Sequence, residues 1–173
     1  MEEKQQSPNN PNLIPKKAME SMARTKGDSQ VLVSEIFTKI NNAKDKPKKI
    51  EILKEYDNAA LRQLLKGCFD PKIEWDLPPG IPPFIKNEAP AGTEHTSLLV
   101  ESKKLWHFVK GADTLTNRLK KETLFIQILE GLHEADANVL LDVKNGTLNK
   151  TYKGLTADMV KEAFGWNAEF VRP

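Results

Sequence analysis

One cysteine, Cys68, stands among 173 residues, so no internal disulfide can form. Nothing in its usage points to an oxidising compartment. Set between Gly67 and Phe69 in an apolar run, it reads as a small core hydrophobe rather than a nucleophile. No stretch of about 18 apolar residues occurs, so no membrane span is expected. Residues 1–11 are polar and lack the apolar heart of a secretory signal, which leaves the cytoplasm as the expected address. The three histidines are not at metal-ligand spacing. His133-Glu134 opens like a zinc-protease helix, but Ala137 stands where the second histidine belongs. Glycines are few and scattered, so neither a dinucleotide-binding turn nor a phosphate loop is present. No string marks a nucleophile elbow, and Glu130 with His133 is an ordinary pair on one helix face. These absences lead to the expectation of a protein that is not an enzyme and needs neither cofactor nor metal.

What is there is helical periodicity. Residues 1–28 are polar, carry Pro8, Pro11 and Pro15, and cannot bury enough surface to offset the entropy of ordering; they are expected to form an extended, disordered arm. Within them Leu13, Ile14, Ala18, Met19 and Met22 form a short apolar stretch that could dock on a partner. From Asp28 or Ser29, both good N-caps, a domain is expected to run to residue 173. Leu32, Val33, Ile36, Phe37 and Ile40 recur at helical spacing. Pro47 suits the first turn of a second helix, with Ile50, Leu53 and Tyr56 inside. Asp57 or Asn58 caps a third, with Leu61, Leu64, Leu65 and Cys68 inside, and Asp70-Pro71 ends it.

Residues 71–95 hold six prolines, which exclude a long helix and strip donors from any central strand. An ordered extended loop is expected there, pinned by its interspersed aromatic and aliphatic residues. Beyond it the spacing predicts helices from Thr96 to about Lys110, from about Leu115 or Thr116 to Leu132, and from His133 to about Val143. The last, from Thr156, stops at Gly165. The helix ending at Leu132 is the most apolar and is expected at the centre. Asn145-Gly146 is a turn that suits a small hairpin or a helix connector. The expected fold is therefore all-α, a compact bundle of six to seven helices.

Basic residues are unevenly spread. Lys44, Lys46, Lys48, Lys49 and Lys54 gather around the second helix. Lys103, Lys104 and Lys110 precede Arg118, Lys120 and Lys121 at the start of another. Such groups near helix starts can hold phosphates through side chains and unpaired amides; the alternative is that they simply solvate helix faces.

The string from Lys49 to Trp75, with a Lys-x-x-x-Leu helix, an Asp-Asn-x-x-Leu-x-x-x-Leu helix and an Asp-Pro break, resembles the opening of the N-terminal DNA-binding domain of ATP-dependent DNA ligases. Residues 118–140 are similar, more loosely, to a second helical pair of that domain. Residues 82–96 and 130–137 resemble a family of short T4-like phage proteins that brings no assigned activity. The ligase resemblance implies a helical domain that grips duplex DNA without reading sequence. It does not imply ligation, because the adenylation motif is missing: Lys26-Gly27-Asp28-Ser29 lacks the second glycine and the following arginine. Together these readings lead to a non-enzymatic, sequence-independent binder of double-stranded DNA in the host cytoplasm of a phage, serving replication, repair or packaging. Its contacts are expected at Lys48, Lys49, Lys54, Lys103, Lys104, Lys110, Arg118, Lys120 and Lys121. The alternative is a protein-interaction module that docks on a replication factor or virion component through the arm and the proline-rich loop. Trp75, Phe84 and Ile85 would then be anchors, unless they serve to pack the loop onto the core.

Overall fold

Valine, isoleucine and phenylalanine at three- and four-residue spacing make α1, Val33–Asn42, which buries Val33, Ile36, Phe37 and Ile40. The computed structural model describes residues 31–88 and 96–173. The arm, the caps Asp28 and Ser29, and the end of the proline-rich loop (Pro90 included) lie outside the described residues. Leu32 at the head of α1 has no capping side chain, and the Glu35 carboxylate accepts its N–H instead.

Helix α2, Lys46–Glu55, has Pro47 in its first turn and is capped by Asp45, whose Oδ1 accepts the Lys48 N–H at 3.0 Å. Asn58 caps α3, Ala59–Phe69, by accepting the Leu61 N–H at 2.8 Å. Helix α3 stops at Asp70, ahead of Pro71. Each such cap satisfies an amide that the helix itself cannot, worth roughly 1 kcal/mol.

The helix expected from Thr96 to Lys110 is a correction. Helix α4 is only Leu98–Glu101, and the chain tightens at once into a 3₁₀ helix, Ser102–Phe108. What ends the helical stretch at Phe108 is the proline-rich segment. Asp76 N–H donates to Phe108 O and Lys110 N–H to Glu74 O, both at 2.7 Å, so the backbone leaves the helix to pair with an extended neighbour. Gly111 then turns the chain at φ +87.

Helix α5, Arg118–Gly131, begins three residues later than the earliest expected start. Asp113 Oδ1 first accepts the N–H groups of Leu115 and Thr116 in a side-chain-closed turn. Helix α6 is Glu134–Asn145, α7 Leu148–Thr151 and α8 Ala157–Phe164. Gly146, at φ +69, closes α6 in the left-handed conformation, so Asn145-Gly146 is a helix connector and not a hairpin.

The fold is all-α. Among the described residues there are eight α-helices and one 3₁₀ helix, more than the six to seven expected, and no strand. Helix α6 is the hub, packed on α1, α3, α5 and α7, and α2 is held between α1 and α8. Helix α5 is therefore not at the centre: it packs on α6 and the 3₁₀ helix, and its inward face is Lys121, Phe125, Ile128 and Leu129. That phase leaves Leu119 on the outside, 74% exposed. Fully buried side chains such as Phe37, Leu64, Leu129 and Leu140 join in one core, each contributing about 1.5–3 kcal/mol by leaving water.

Candidate nucleic-acid interface

Two helix starts in this chain are built alike. Asp45-Lys46-Pro47-Lys48-Lys49 opens α2 and Asn117-Arg118-Leu119-Lys120-Lys121 opens α5. In each, the cap accepts the third amide of the helix: Lys48 N–H to Asp45, and Lys120 N–H to Asn117 at 2.8 Å. The fourth residue is a lysine that turns inward. Lys49 Nζ donates to Ile40 O at 3.0 Å and to Ala43 O at 2.9 Å, gathering the last carbonyls of α1. It fits because residue 154 is glycine: a Cβ there would stand 2.5 Å from Nζ. Lys121 Nζ donates to Asp113 O at 2.7 Å and to Asp76 Oδ2 at 3.1 Å, with its side chain only 3% exposed.

Lys49 and Lys121 are thus corrections to the expected contact set. Both ammonium groups are consumed in holding the loop that precedes their helix, and Lys121 has no surface to offer a phosphate. The remaining seven candidates, Lys48, Lys54, Lys103, Lys104, Lys110, Arg118 and Lys120, are exposed. Lys104 pairs with Glu101 at 3.2 Å and Arg118 lies 3.9 Å from Glu122. For Lys48, Lys54, Lys103, Lys110 and Lys120 there is no ion pair among the described residues. Lys46, which the candidate set omits, occupies the same place in α2 as Arg118 in α5, and reaches Glu162 at 3.2 Å. The repeated spacing was the signal that could have found it.

The cations crowd where a helix least favours them. Neither α2 nor α5 has an acidic residue in its first turn. A cation beside the positive end of a helix costs about 0.3–1 kcal/mol where an anion would gain as much. The two groups do not share one surface through direct packing: α2 sits on α1 and α8, whereas α5 sits on α6 and the 3₁₀ helix. Lys103, Lys104, Lys110, Arg118 and Lys120 form the larger group, on elements that pack together. Among them Trp106 is half-exposed and stacks on His107 at 3.8 Å, and His107 Nδ1 lies 2.8 Å from Asp113 Oδ2.

The expected protein anchors separate. Trp75 faces inward: its Nε1–H donates to Gly67 O at 3.0 Å, and its ring lies 2.9 Å from where a Cβ of residue 67 would be. Phe84 is half-buried against the core. Ile85 is 78% exposed and its N–H donates to Glu130. Burial pushes the Cys68 thiol up to about 11, so it stays protonated at neutral pH. Among the described residues no group of three or more His, Cys, Asp or Glu is gathered as a metal site needs, and no helix is long and apolar enough to cross a membrane.

Fold and surface together define an all-helical bundle with cation-rich helix starts. The chain belongs to the family of unknown function DUF6433, which it matches over residues 36–150. That span runs from α1 into α7 and contains all nine basic candidates. No curated protein and no solved structure matches the chain.

Proposed function

We propose that the protein binds double-stranded DNA without reading its sequence, as a non-enzymatic factor of phage replication, repair or packaging in the host cytoplasm. One observation carries this reading. Two helices of unrelated position begin with the same cap–cation–x–cation–lysine order, and in both the first and third residues are exposed cations at the positive end of the helix. Cations set against the helix dipole, at α5 with no acidic residue at the cap or in the first turn, are expected where a ligand compensates them. A phosphate does so through the side chains and, at α5, through first-turn amides as well; in α2 Pro47 has no N–H and Asp45 already takes that of Lys48. The resemblance to the ligase DNA-binding domain implies the same backbone grip. The protonated Cys68 thiol is consistent with a role outside catalysis.

The test is a mobility shift with generic duplex across roughly 50–200 mM salt, where each neutralised phosphate contributes about −0.9 to the slope of log affinity against log salt. Arg118→Glu with Lys120→Glu should lower the slope's magnitude by about two, and Lys46→Glu with Lys48→Glu by a similar amount. Helicity should be unchanged in both. Absence of any shift by the native protein at low salt would sink the proposal, and a preference among duplex sequences would remove its sequence-independence.

A further inference from the structure

A groove of about 340 Å³ runs between the proline-rich segment and α5, with Leu77, Ile81, Pro82, Phe125 and Ile126 among its walls and Lys144 at its base. Lys144 is 8% exposed. Its Nζ donates to Pro78 O at 2.9 Å and to Asn145 Oδ1 at 2.7 Å. No carboxylate lies within ion-pair distance of it among the described residues. Glu122 also lines the groove, but the ion pair it makes is with Arg118. An ammonium has three protons to give, and two are placed here. A buried charge that is hydrogen-bonded but not neutralised is costly, and burial pushes the Lys144 pKa down accordingly.

The apolar walls continue beyond the groove. Ile81 is 73% exposed and Ile85 78%, on a stretch of chain outside any helix. Such a track is longer than a small organic acid needs. The prolines give it a preset backbone without N–H groups, so it presents rings and carbonyls, the kind of surface on which extended chains dock. The volume is near the lower end of the roughly 300–1,000 Å³ of ligand pockets, enough for a few side chains and not for a helix face.

We propose that this groove receives an extended segment of a partner protein that carries a carboxylate between apolar side chains, the carboxylate accepting the third proton of Lys144. Charge complementarity selects this occupant: the groove's one carboxylate, Glu122, pairs with Arg118 and not with Lys144, so an uncharged apolar segment would leave that ammonium unneutralised. The interaction is independent of the duplex-binding surface.

The experiment uses the full chain and a fluorescein-labelled, end-capped peptide Ile-Leu-Glu-Leu-Ile, beside the same peptide with glutamine for glutamate, titrated by fluorescence anisotropy. The glutamate peptide should bind roughly tenfold or more tightly than the glutamine peptide, as a charge-assisted hydrogen bond warrants. Lys144→Met should abolish that preference. Ile81→Ser, a rim change that cannot unfold the core, should weaken both peptides equally. Equal affinity of the native protein for the two peptides, or no saturable binding of either, would overturn the proposal. A concentration-dependent dimer displaced by the peptide would also overturn it, by assigning the groove to a second copy of the chain. Lys46→Glu with Lys48→Glu should leave peptide affinity unchanged, so failure of the duplex reading and failure of this one are told apart.

Discussion

Asp113 accepts a hydrogen bond from His107 and others from the N–H groups of Leu115 and Thr116, which hold its carboxyl well below the ordinary carboxylate range. Asp136 is the opposite case. Burial raises its pKa, and the Ser34 N–H it accepts at 2.9 Å only partly offsets this. A depressed carboxylate stabilises the fold above its unfolded value of about 3.9, and that contribution is lost as pH falls further, toward the folded pKa. A raised one makes the fold gain as pH falls from above the folded pKa toward about 3.9. Urea midpoints measured against pH should therefore show two distinct effects. Asp136→Asn should lack a gain that the native protein shows on acidification toward pH ~4, and Asp113→Asn should lack part of the loss below it. Parallel curves for all three proteins would contradict both assignments. Cys68 gives a third check at this scale. With its thiol held protonated by burial, alkylation by iodoacetamide should be slow in the native state and rise with denaturant along the unfolding curve. The sequence reading of it as a core residue was met only in part: Cys68 is half-buried and packs against the core rather than within it. The inward turn of Lys121 was not legible in sequence, because its acceptors, Asp76 and the Asp113 carbonyl, come from a loop whose path depends on tertiary pairing.

Among the elements, α5 is one whose inward face local pattern misread. Leu119 reads as an inward residue by hydrophobicity, yet the helix turns its Lys121–Phe125–Ile128 face to the core. A single well-satisfied buried lysine is enough to shift the phase, and hydrophobic periodicity does not register it. Lys121→Ala should leave the Asp113 carbonyl and Asp76 unpartnered and lower stability by about 2–3 kcal/mol in urea titration. Lys120→Ala, one residue away and exposed, should stay within about 0.5 kcal/mol. Equal losses would mean that the ammonium of Lys121 is not what anchors the helix. The caps behave as short-range rules require: Asp45→Ala and Asn117→Ala should each cost about 1 kcal/mol. The end of the helical stretch at Phe108 was not legible, because what cuts it short is pairing with residues 74–76, more than a score of positions upstream.

At the scale of the molecule, the helical class and most helix starts could be read from spacing, caps and prolines, since those signals act within a few residues. The distribution of charge could not. Which lysines face water depends on where α1, α2 and α5 pack, and α2 and α5 pack on different neighbours. If duplex binding engages both basic groups, as proposed, each pair's reversal should weaken it and the quadruple variant should lose at least the sum, whereas engagement of one should leave the other pair's reversal silent. Titrations of the two double variants beside the quadruple one decide between these. The partnership of α2 with α8 carries a different consequence. These helices pack closely on each other, yet about a hundred residues of chain lie between them, and pairings so distant in sequence form late. On the ribosome α2 can pack on α1 at once, but the face it turns to α8 must wait until α8 has left the exit tunnel. Chains stalled before residue 157 should therefore remain open to protease at α2, and the finished domain should close only after synthesis has passed α8.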